Sequence, residues 1–102
     1  LELAEDARQP ELMFDVAATQ LKLNLALSNR LDARTNLDIV DALVPDLQSA
    51  FYAGRALVCR GDFMSQIDKN PAKQAYESAK AIFELHGYQA WLDAVGNRLE
   101  QL

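Results

Sequence analysis

The chain has little of what most catalytic or anchored proteins need. There is one cysteine, Cys59, so no disulfide and no cysteine-built metal site can form within a single chain. That economy suits a reducing compartment, and a cytoplasmic location is the expectation. There is one histidine, His86, which excludes a histidine-rich metal centre. No apolar run approaches the ~18 residues of a membrane span, and no charged-then-apolar leader opens the sequence. Lys and Arg number 10 against 15 Asp and Glu, and the arginines are scattered, at 8, 30, 34, 55, 60 and 98. A net charge of −5 repels nucleic acid and anionic membrane alike, so neither is an expected partner.

Phosphate-cradling glycine loops, calcium loops and Glu-x-x-His pairs are also missing. His86 precedes a glycine, where the expected role is contact with the last carbonyls of a helix. Cys59, near a helix C-terminus, is expected to be an inert thiol, because a negative helix end disfavours the thiolate. The dispersed carboxylates (Asp38 and Asp41, Asp62 and Asp68, Asp93 and Glu100) are read as solvated helix faces. Neither a cofactor nor a catalytic role is expected.

What is present is ample apolar material: half of the 102 residues are hydrophobic. They are mainly Ala and Leu, with few β-branched residues, and that balance favours helices. A chain of this length buries one modest core, or a strip of core if helices stack in a row. Opening on Leu1-Glu2-Leu3, it is expected to be one helical-repeat-like domain over residues 1–102, taken from a longer polypeptide.

Pro10, Pro45 and Pro71 each read as a first-turn residue of a helix. Residues 1–8 are expected to form a short helical stub, followed by a helix from Pro10 to about Asn29. Within it, residues 21–27 alternate like a strand but lack any β-branched residue. As a helix they place Leu21 and Leu25 on one side and Leu23 and Leu27 nearly opposite. Such two-sidedness predicts a helix sandwiched between neighbours. A second helix is predicted from about Leu31 to Leu43, with Ala33, Leu37, Val40 and Val44 at helical spacing and Pro45 ending it.

Pro45 should also start the next helix, with Leu47, Ala50, Phe51, Gly54, Leu57 and Val58 on one stripe and Gly61-Asp62 closing it. A polar loop over 64–70 would lead to a helix capped by Asn70, with Ala72, Ala75, Tyr76, Ala79, Ile82, Phe83 and His86 on one face and Gly87 as its stop. A last helix from Tyr88 carries Trp91, Leu92, Val95, Leu99 and Leu102 together. Tyr88, Trp91 and Phe83 are expected as core, with an aromatic ligand pocket as the other reading. The expected fold is all-α, with neighbouring helices antiparallel.

Residues 51–63 resemble the first helix and turn of a tetratricopeptide repeat. Gly54 stands at the family's small mid-helix position, Leu57 at the bulky position three on, and Gly61-Asp62-Phe63 at its Gly-Asp-aromatic turn. Ala72, Tyr76 and Ala79 match the small, bulky and small positions of the second helix, although the intervening loop is longer than the family's. A fainter copy is seen in Ala33, Leu37 and Val40, with residues 27–31 standing where the turn should be but without its glycine.

The closing pattern, residues 81–87 followed by Trp91 and Leu92, is similar to the end of such regions in bacterial regulators. The resemblance implies antiparallel helix pairs stacked as a short array, the alternative being a compact five-helix bundle. It also implies a protein- or peptide-binding module, as in a regulator's sensor or partner-binding region. Gln48, Phe51, Tyr52, Arg55 and Cys59 would then lie on the helix that lines the family's concave face. Arg55 is suited to a peptide carboxylate and Tyr52 to packing beside it, while Phe51 belongs equally to the buried stripe. A structural oligomerisation segment is the alternative function, since the two-sided leucine face of 21–27 and open-ended helices could pair with a second copy.

Overall fold

The computed structural model describes residues 9–102, and every regular element among them is an α-helix. The stub expected over residues 1–8 lies outside the described residues. In order, α1 spans Pro10–Ala26, α2 Arg30–Leu47, α3 Ala50–Met64, α4 Lys69–His86 and α5 Gln89–Glu100. The chain divides into two compact units, Leu1–Gln48 and Ser49–Leu102.

In the N-terminal unit, α1 and α2 form a helical hairpin. Pro10 stands in the first turn of α1, where its missing N–H removes no helical bond. Residues 21–27 continue that helix through Ala26, and the strand-like alternation has no structural counterpart. Phe14, Ala17, Leu21 and Leu25 are buried, one turn apart from each other, against Ala33, Leu37 and Val40 of α2. Each large side chain here contributes about 1.5–3 kcal/mol by leaving water. Leu23 and Leu27, expected to be covered on the opposite side, are instead exposed.

Two further expectations are corrected here. Pro45 neither ends α2 nor begins the next helix; it sits in the last turn of α2. A proline there forfeits only one backbone bond near the end, while Leu43, Val44 and Leu47 stay half-buried by continuing the helix. The stop is Gln48, in the left-handed conformation at φ 48°, whose N–H reaches the Val44 carbonyl at 3.3 Å.

In the C-terminal unit, Ser49 caps α3 by accepting the Tyr52 N–H at 3.4 Å. Gly61 does not close this helix, which runs on to Met64. Its reason for being glycine is a close approach: a Cβ on Gly61 would collide with the Tyr76 ring, as one on Gly54 would with Phe83. With α3 longer than expected, the connection shrinks to residues 65–68. Asp68, rather than Asn70, caps α4, accepting the Asn70 N–H at 3.0 Å.

The predicted face of α4 is buried at Ala72, Ala75, Tyr76, Ala79 and Phe83, with Ile82 half-buried and His86 exposed. Gly87 stops α4 at φ 75°, as expected. Val58, Ala72, Tyr76, Ala79, Phe83 and Val95 make the core of this unit, flanked by Leu57, Trp91, Leu92, Leu99 and Leu102.

Candidate functional site

Several large apolar side chains of the hairpin are exposed. Leu12, Met13, Val16 and Leu23 of α1 and Leu27, which follows its last residue, are between 44% and 66% exposed, too many large apolar groups along one helix to be incidental. Leu12, Val16, Leu23 and Leu27 are spaced by four, seven and four residues, so they line one side of α1, turned away from the buried Phe14 and Leu21. Toward the start of the helix this side forms a groove of about 620 Å³ lined by Gln9, Leu12, Met13, Val16, Ala17, Gln20 and Ile39 of α2. Such a groove can take apolar side chains of a binding partner, and its few polar groups, Gln9 and Gln20, can orient them.

Gln20 also belongs to a relay that fixes the hairpin. Asn36, buried in α2, donates to its Oε1 at 3.2 Å and accepts from Asn24 Nδ2 at 2.7 Å. Partnered amides of this kind pin the register of α1 on α2, since any slide would bury an amide unpaired.

The C-terminal unit carries two further clusters. The first joins Asp62, Tyr76 and Arg98. The Tyr76 hydroxyl donates to Asp62 Oδ1 at 2.6 Å, Arg98 Nε donates to the same oxygen at 2.8 Å, and Arg98 Nη1 donates to the Ala94 carbonyl at 3.2 Å. Burial, reinforced by the bond to the Asp62 carboxylate, pushes the Tyr76 phenol well above its ordinary range. Burial disfavours the Arg98 cation, yet the bonds to Asp62 prevail and Arg98 is held more firmly charged than usual. The ion pair is about a quarter exposed and ties α5 to α3. Beside it is a polar hollow of about 600 Å³ that also includes Ser65, Lys69, Asn97 and Gln101.

The second cluster surrounds Arg55. Its guanidinium lies 5.7, 5.6 and 5.3 Å from the ring centres of Phe51, Tyr52 and Trp91. Phe51 packs on Tyr88 at 5.0 Å, and Trp91 stacks on Phe83 at 5.9 Å. The cation is thus held by rings of its own chain, an arrangement that favours both cation–π attraction and rigidity.

Of the residues expected to bind a partner, Tyr52 and Arg55 are brought together, half-buried on α3. Cys59 is also on α3 but is buried at 9% exposure, packed rather than presented. Gln48 is not on α3; it is the exposed residue that terminates α2. Phe51 is half-buried among the rings, and His86 stacks on Tyr88 at 6.3 Å.

Sequence reasoning missed Asp62 and Arg98 as partners, since nothing in a sequence signals a pair 36 residues apart. The exposed apolar side of α1 did leave a trace, in the two-sided leucines of 21–27, although none of these lines the groove. No group of three or more potential metal ligands occurs among the described residues, and no helix among them is long and apolar enough to cross a membrane. Comparison with family models, curated proteins and solved structures finds no match to this chain.

Proposed function

We propose that this chain is a protein- or peptide-binding module whose docking surface is the uncovered apolar side of α1 together with Ile39. The observation that carries this reading is the row of exposed Leu12, Met13, Val16, Leu23 and Leu27 on a helix whose other side is already buried. A second apolar row on a helix is costly to leave in water unless something covers it. Binding, rather than catalysis, is what such a face offers. The pairing of α3 with α4, with glycines beneath rings and Ala72 and Ala79 fully buried, supports reading this part as one tetratricopeptide-like unit. On that reading the module would serve as the partner-binding part of a regulator, and Tyr52 and Arg55 would form a secondary contact.

Affinity capture with three forms of the chain tests the proposal. The wild type is compared with Leu12→Gln/Val16→Gln/Leu23→Gln, and with Arg55→Ala. Partners lost with the glutamine variant and kept with Arg55→Ala place docking on α1; the reverse places it on α3. Capture unaffected by either variant removes the proposal. A structural oligomerisation segment is the second reading, carried by the same exposed row, and light scattering at high concentration would reveal it as a concentration-dependent mass.

A further inference from the structure

We draw no further inference here: the strongest candidate, the exposed apolar side of α1 with its groove beside Ile39, belongs to the docking surface already proposed, and nothing in the structure shows what covers it.

Discussion

The two units solve the same problem, covering apolar helix faces, with different materials. The α1–α2 hairpin packs one ring, Phe14, among aliphatic side chains and fixes its register with the amides of Asn24, Asn36 and Gln20. The α3–α5 unit uses rings set over glycines and an Asp62–Tyr76–Arg98 network. In the second unit α5 brings Val95, Trp91, Leu92 and Leu99 to the core of the α3–α4 pair. In the first, one side of α1 keeps its leucines exposed. A pair of helices buries one face of each; a third is what lets a core close around a residue such as Phe83. The contrast makes the three-helix unit the more self-sufficient scaffold, and it is the ground on which the docking surface is proposed for the hairpin.

Three substitutions bear on that contrast. The largest effect is expected from Phe83→Ala, which empties the centre of the α3–α5 core and should cost about 3–5 kcal/mol by urea unfolding. A smaller loss would mean that this unit is not the stronger scaffold. Asn36→Ala should cost about 1–2 kcal/mol, because it strips partners from Asn24 and Gln20, and amide exchange should rise in α1 and α2. An unchanged exchange rate would show that packing alone sets the hairpin's register.

The smallest effect is a pH dependence. The Tyr76 phenol is raised above its ordinary 10.0, so the folded state holds its proton where the unfolded chain releases it. Its contribution to stability is complete below pH 10 and is lost as pH rises beyond, so at pH 11 the wild type should have lost about 1 kcal/mol more than Tyr76→Phe. Parallel curves would show that Asp62 does not discriminate the phenol from the phenolate.

Much of the helical order was legible because it is local. Gly87 as a stop, Pro10 in a first turn, and Ala72, Tyr76 and Ala79 on one buried face follow from backbone freedom and a period of 3.6. Misreadings came where a residue's local preference was outweighed by packing. Pro45 sits inside α2 because half-buried Leu43, Val44 and Leu47 reward continuation, and Gly61 is mid-helix because Tyr76 needs its surface. The shift of α3's start from Pro45 to Ala50 carried Gln48 off the expected face. Period and spacing told that residues 21–27 have two apolar sides, but not that only one would be covered.

Gly54 and Gly61 are seven residues apart on α3, and so are Tyr76 and Phe83, the rings that rest on them from α4. Two slots and two keys at equal spacing, on helices running in opposite directions, admit one alignment; a slide of a single turn would set both rings against side chains. The alignment is therefore written on the helices rather than in the turn that joins them. Residues 65–68 could be lengthened, exchanged or cut without moving α4 along α3, whereas removing one residue between Gly54 and Gly61, or between Tyr76 and Phe83, would prevent both keys from seating at once.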